Sequence, residues 1–359
     1  MKNGARPIKA ICSVVAGVLL GGTRLLAADG TEAIMDSEFI SETPLVKSVH
    51  ASTIAETRNG LVAAWFGGTR EGAIDVSIWL TRQEGGVWSG PAEVANGYEP
   101  KEKRRYPCWN PVLFAASNGD LWLFYRVGPS PSRWWSYVRR SIDGGESWIE
   151  MNRLPAGYLG PIKNPPVELP GGTLLCGSST EDTGWRVQME WTTAPLKRWF
   201  KTTPLNSAFA MPAIQPAILM HNTNDLQVVC RTKLGYIAEA WSHDGGTTWS
   251  RLERTAMPNP NSGLDATQLA DGRSLLVYNH TERGRHVLNL AISDDGEAWR
   301  AAAVLENEPG KEFSYPTVIQ TQDGLVHITY TWKREKVKHV VVDPAQLGGP
   351  QILNGVWPE

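Results

Sequence analysis

The sequence predicts an all-β fold, a six-bladed β-propeller, and three observations carry that expectation. Five tryptophans, Trp88, Trp148, Trp199, Trp249 and Trp299, recur at steps of 60, 51, 50 and 50 residues. A turn phrase ends on four of them: S-I-D-G-G-E-S-W at 141–148, S-H-D-G-G-T-T-W at 242–249, T-R-Q-E-G-G-V-W at 81–88 and the shortened S-D-D-G-E-A-W at 293–299. Six strand openings repeat in register with that phrase. A repeat near 50 residues with several short strands and one fixed turn is the pattern of a propeller blade.

The openings are His50-Ala51-Ser52, Asn110-Pro111-Val112, Asn164-Pro165-Pro166, Gln215-Pro216-Ala217, Asp265-Ala266-Thr267 and Tyr315-Pro316-Thr317. About ten residues after each comes a hairpin signal: Asn59-Gly60, Asn118-Gly119, Gly171-Gly172, Asn224-Asp225, Asp271-Gly272 and Asp323-Gly324. The turn phrase is read as a fold element. Its Asp accepts backbone N–H groups, its Gly supplies positive φ, and its Trp packs between sheets. Residues 38–49 precede the first opening and have no blade of their own, so they are expected to pair into the sixth blade and close the ring.

Residues 1–28 read as a secretory signal. Lys2, Arg6 and Lys9 precede an apolar run at 10–20, and Ala27 and Ala28 follow at the expected cleavage site. The remaining chain, 29–359, is expected to be a single propeller domain, exported to the periplasm or beyond. No later stretch is long and apolar enough for a membrane span. Four of the 35 basic residues lie in the leader, which leaves 31 against 37 acidic ones and no basic run, so nucleic acid is not an expected partner. The three cysteines outside the leader, Cys108, Cys176 and Cys230, match no metal spacing, and an odd count leaves at least one free. Neither a metal nor an organic cofactor is implied, and nothing speaks to oligomeric state.

The register also nominates a site. The opening residues His50, Asn110, Asn164, Gln215, Asp265 and Tyr315 should stand around the axis, and their chemical variety argues against one shared structural duty. Arg126 and Arg231 each lie sixteen residues after an opening, inside apolar strands. Lys163 adjoins Asn164, and Lys233 follows Arg231. Arg70, Glu71 and Asp75 lie in a glycine-rich loop. Asp75, between Ile74 and Val76, reads as a buried structural carboxylate. The tandem Trp134-Trp135 is equally a sugar platform or inter-blade packing.

The turn phrase, together with H-A-S-T-I at 50–54, A-W-F-G-G-T-R-E-G-A-I-D-V-S-I-W at 64–79 and F-S-Y-P-T-V at 313–318, resembles the sialidase (neuraminidase) superfamily, in particular its bacterial BNR-repeat, sialidase-like members. The resemblance implies a tyrosine nucleophile assisted by a glutamate, an aspartate acid/base and three arginines that clamp a carboxylate. Tyr315 matches the nucleophile, Arg231 the second arginine and Arg285 the third. The sequence departs where His50 replaces the first arginine, where Gln215 replaces the assisting glutamate, and where the shorter acid/base loop offers Glu71. Arg126 and Arg70 are further candidates for holding an acid.

Three functional readings follow. The leading one is a retaining glycosidase for an acidic sugar, exo-α-sialidase-like, with Tyr315 as nucleophile and His50 as the group that takes its proton. The second is a uronate-directed lyase or glycosidase that uses the His50/Tyr315 pair for β-elimination. The third is a non-catalytic carbohydrate-binding propeller. In each the partner is an acidic carbohydrate, a sialoside or a uronide.

Overall fold

The computed structural model describes Met1 and residues 30–358, and its chain forms six consecutive antiparallel sheets. The proposed signal segment lies outside the described residues. The innermost strands are Ser48–Thr57, Cys108–Ala115, Val167–Leu169, Ala213–Met220, Asp265–Gln268 and Phe313–Gln320, which define blades 1 to 6. Every hairpin signal falls between the first and second strands of its blade. The inner strand of blade 1 packs on those of both blade 2 and blade 6, which makes a closed six-bladed propeller.

Closure is made by Ile34–Phe39, which pairs antiparallel with Lys336–Val342 as the outer strand of blade 6. The expected bounds, 38–49, were displaced. Ser48 and Val49 already belong to blade 1, and the closing strand starts at Ile34. That strand is mostly half-buried or exposed, so its residues carry no apolar alternation by which to place it. Glu38 fixes the seam: its Oε1 accepts the Trp88 indole N–H of blade 1 at 2.8 Å and meets His339 Nδ1 of blade 6 at 3.0 Å.

The core is divided among the blade interfaces. Leu113, Leu121 and Leu123 face Val62, Ala64 and Ile78 between blades 1 and 2, and Leu288, Leu290 and Ile292 face Val318, Val326 and Ile328 between blades 5 and 6. Cys108, Cys176 and Cys230 are all free and buried; burial pushes each thiol up, which suits inert packing. Residues 343–358 run back over the outer strand of blade 5, where Ile352 N–H donates to Trp299 O at 2.8 Å and His280 Nε2 lies 3.0 Å from Gly355 O. Among the described residues no helix is long and apolar enough to cross a membrane.

The turn phrase closes on itself. Asp143 Oδ1 accepts Ser141 Oγ–H at 2.7 Å and Ser147 N–H at 2.9 Å, and Ser141 Oγ accepts Gly145 N–H at 2.8 Å. Asp244 and Asp295 repeat the pattern with Ser242 and Thr248, and with Ser293 and Ala298. These bonds, with the Ser147 hydroxyl first, hold the Asp143 carboxyl below its usual range. A depressed carboxyl stabilises the fold above its unfolded-state pKa and loses that contribution as pH falls. Asp143→Ala should therefore cost about 1–2 kcal/mol at pH 7 by urea unfolding, with a smaller difference near pH 3. An equal difference at both pH values would contradict the role of this carboxylate.

Candidate active site

Four inner strands carry the same bulge where they reach the axis. Pairing slips between His50 and Thr53, between Ile214 and Ala217, between Ser314 and Thr317, and opposite Phe124 and Arg126 in blade 2. In each bulge one non-glycine residue is left-handed: Ala51 (φ 53°), Asn110 (35°), Gln215 (60°) and Tyr315 (55°). Such bulges re-aim a side chain and recur near active sites. The pairing corrects the register in blade 1. Ala51, not His50, is the equivalent of Tyr315, and His50 corresponds to Ser314, Ile214 and Trp109. The other bulges carry a proline after the left-handed residue and blade 1 has none, which hid the shift.

Tyr315 is the centre of the cluster. It is 8% exposed, and its Oη accepts Arg231 Nη1–H at 2.8 Å and Gln215 Nε2–H at 3.4 Å. The guanidinium carbons of Arg231 and Arg285 stand 5.4 and 5.8 Å from its ring centroid. Gly263 leaves room for the ring, since a Cβ there would meet Tyr315 carbons at 3.1–3.3 Å. His50 lies ring to ring with Tyr315, centroids 4.1 Å apart, and its Nδ1 pairs with Thr331 Oγ1 at 3.0 Å. Burial, reinforced by Arg334, Arg285, Arg231 and Lys163, holds His50 far below its usual pKa and therefore neutral. Among the described residues no hydrogen bond joins His50 to the phenol, so the expected proton transfer between them has no path here.

Three site residues escaped the sequence reading. Arg334, left-handed in the turn after the second strand of blade 6, pairs with Glu312 through Nε (2.8 Å) and with Glu71 through Nη1 (2.7 Å). Glu312 also takes Arg285 Nη1 at 3.2 Å; burial would raise this carboxyl, but Arg334, the Ser314 hydroxyl and Arg285 together hold it low. Glu181, half-buried at the end of strand Thr173–Thr180, is raised by burial against the opposing pull of Arg231, Trp185 and Lys233. Arg334 and Glu181 follow strand ends, and Glu312 immediately precedes the inner strand of blade 6. The only sequence signal was charge beside a strand.

Several nominated residues are placed elsewhere. Arg126 is fully enclosed and donates to the carbonyls of Asn110 (2.9 Å), Leu159 (2.9 Å) and Pro161, a structural clamp rather than a ligand-facing charge. Lys163 Nζ is spent on Asn164 Oδ1 (2.7 Å), Leu264 O (2.9 Å) and Pro316 O, which ties blades 5 and 6 to the start of blade 3. Asp265 Oδ2 accepts Val318 N–H at 3.0 Å, Asn164 Nδ2 donates to Gln215 O at 3.2 Å, and Asn110 Nδ2 to Ile162 O at 3.3 Å. These four stitch neighbouring blades.

Asp75 is exposed, not buried. Its Oδ2 accepts the Thr69 N–H at 2.9 Å and the Thr69 hydroxyl, which pins the loop that carries Glu71. Arg70 is exposed on that loop. Lys233 is exposed, with Nζ 4.3 Å over the Trp185 ring. Trp134 and Trp135 are half-buried, and Trp135 Nε1–H donates to Glu99 at 2.9 Å. Among the described residues no group of three or more His, Cys, Asp or Glu could hold a metal ion.

A six-bladed propeller with an arginine-lined tyrosine at its axis is a sialidase-like propeller, and solved structures share that fold. A protein of unknown function from Dyadobacter fermentans superimposes with TM-score 0.72 at 17% identity, over 86% of this chain and 98% of that one. The NanB sialidase of Streptococcus pneumoniae gives 0.68 at 12%, over 88% and 71%. A leech intramolecular trans-sialidase gives 0.67 at 14%, over 88% and 70%. Residues 59–328 match the BNR repeat-like domain, and the chain belongs to that family. No curated protein matches the sequence.

The stitching has a measurable consequence. Lys163→Met keeps the unbranched stem without the ammonium and strands two carbonyls, the Asn164 amide oxygen and the neighbouring Asp265 carboxyl in a buried setting. It should cost about 3–5 kcal/mol in denaturant unfolding. A loss below about 1 kcal/mol would show that the axial lysine does not hold the blades together.

Proposed function

We propose that the protein is a retaining glycosidase acting on an acidic sugar, of exo-α-sialidase type, with Tyr315 as nucleophile. One observation carries the reading: Arg231, 7% exposed and without an ion pair among the described residues, points its guanidinium at the phenol oxygen. A buried cation without an anion calls for one from a ligand, and arginine matches a carboxylate's two oxygens in a fork. Arg285 and Arg334 are already bridged by Glu312. The blade-1 arginine implied by the resemblance has its counterpart in Arg334, which enters from blade 6.

A neutral phenol suits attack on such a sugar, because a carboxylate nucleophile would be repelled by the substrate's own acid. Tyr315 Oη would bond to the anomeric carbon as the glycosidic C–O bond breaks. The phenol proton would pass to water, and a site carboxyl would protonate the leaving oxygen. Glu71 and Glu181 are the carboxyls at hand. Gln215 cannot accept a proton as a glutamate would. It instead offers an N–H to the phenol oxygen, as Arg231 does. The lyase reading is not favoured, because His50 is 2% exposed and its Nδ1 is engaged by Thr331 Oγ1 at 3.0 Å. The apolar leader in the sequence supports export, where acidic glycans would be met.

Tyr315→Phe should abolish turnover of fluorogenic sialosides or uronides while leaving calorimetric binding of the acidic sugar intact. Arg231→Ala should weaken that binding by about 2–5 kcal/mol and spare a carboxyl-reduced analogue. Saturable binding without turnover in the unaltered protein would instead establish a carbohydrate-binding propeller. Equal losses for acidic and neutral ligands would dispose of the arginine clamp.

A further inference from the structure

Between blades 2 and 3 lies a cavity of about 480 Å³, lined by Trp134, Trp135, Arg153, Tyr158, Thr180 and Glu181. Its volume falls within the roughly 300–1,000 Å³ of small-ligand sites. Its walls combine indole and phenol faces, which stack on the apolar face of a pyranose, with a guanidinium and a hydroxyl for sugar oxygens.

The cavity is joined to the Tyr315 site through Glu181. Glu181 and Trp185 stand on one hairpin, each the next residue past the Thr180–Arg186 pair that ends its ladder, and Glu181 lies in the field of Arg231. The Arg231 guanidinium sits 5.1 Å over the Trp185 ring and donates to Tyr315 Oη at 2.8 Å. Glu181 therefore stands at the boundary between the anion-binding arginine and an aromatic cavity. Glu71 stands differently. Its Oε2 is held by Arg334 at 2.7 Å and its side chain is 43% exposed. A carboxyl spent on an arginine is the counter-ion of that arginine, whereas Glu181 makes no ion pair among the described residues. Burial favours the protonated form of Glu181, the form a proton donor needs.

We infer that this cavity receives the sugar on the leaving side of the scissile bond, and that Glu181 is the catalytic residue that protonates the bridging oxygen. As the anomeric C–O bond breaks, the Glu181 proton moves to the departing oxygen and leaves a carboxylate. That carboxylate takes a proton back from the water that later displaces the tyrosine. The inference rests on the acidic-glycosidase reading and names its acid and its second sugar subsite.

The test compares two substrates with the same acidic sugar: a disaccharide, whose leaving alcohol needs a proton, and a dinitrophenyl glycoside, whose leaving phenolate does not. Glu181→Gln should lower kcat/KM for the disaccharide by about 100-fold or more and change the aryl substrate by only a few-fold. It should also remove the alkaline limb of the disaccharide pH profile, because the acid is active in its protonated form. Glu181→Asp, with melting temperature checked for both variants, should restore part of the lost rate. Trp134→Ala should raise KM for the disaccharide alone. Equal losses on both substrates, or the leaving-group pattern appearing in Glu71→Gln instead, would overturn the inference and leave the glycosidase reading standing. No turnover of either substrate by the unaltered protein would overturn both.

Discussion

Each blade of a closed ring must bring its first strand to the axis and turn there without leaving backbone groups unpaired. Four of the six do so with one left-handed non-glycine residue, a conformation that costs roughly 1–2 kcal/mol at each position. Bonds between blades offset that cost. Thr317 Oγ donates to Ser52 O at 2.8 Å, Leu113 N–H to Thr53 Oγ1 at 3.0 Å, and Gln215 N–H to Ser179 Oγ at 3.2 Å. The same twist aims the bulged side chain across the axis. In blades 4 and 6 this brings Gln215 and Tyr315 together from positions a hundred residues apart in the chain. The site is thus a by-product of how the ring closes at its centre. Changing the residue in a bulge changes the chemistry and leaves the scaffold as it was.

Charge adds a second constraint. Arg231, Arg285, Arg334 and Lys163 converge on Tyr315 and His50, and all four appear among the cations that keep His50 neutral. Glu312 and Glu71 answer Arg334 and Arg285, and Asp265 answers Lys163. Arg231 makes no ion pair among the described residues, and Glu181, the carboxyl in its field, is raised by burial. Such a cation is stable when it keeps a good acceptor, here the phenol oxygen. Two buried polar atoms of this cluster, Arg231 Nε and Gln215 Oε1, have no hydrogen-bond partner, as expected where a ligand completes the hydrogen bonding.

The repeat made the fold legible, yet of the six opening residues Asn110, Asn164 and Asp265 bond neighbouring blades and His50 is one position out of register. Tyr315, Gln215 and Arg231 meet because each sits at a fixed offset from a strand opening. The same offset misleads where blades differ in their connections. Arg126 and Arg231 face equivalent partners, Trp109 and Ile214, across their sheets. Arg126, however, is capped by the 159–161 backbone, which takes up its donors, while no such segment covers Arg231. Arg334, Glu312 and Glu181 lie beyond strand ends, where length and path vary from blade to blade and no periodicity points to them. His50 was nominated one position out of register yet still touches Tyr315, because a strand beside the axis presents both neighbours of its bulge to the centre.

At blade 1 the ring seam also positions an arginine, Arg334. His50 stands beside Tyr315, packed edge-on against Phe66 with centroids 5.5 Å apart. Directly alongside, Val49 N–H donates to Arg334 O at 2.9 Å, so the blade-6 turn is fastened to the blade-1 strand at this point. That bond holds the left-handed Arg334 backbone over the seam and directs its side chain to Glu312 and Glu71. An arginine fixed this way depends on correct closure of the propeller, because its anchor and its counter-ions come from blades 1 and 6 together. The Arg334 network and the ring seam are therefore one structure, and loosening the seam should disorder Arg334 before it unfolds the blades.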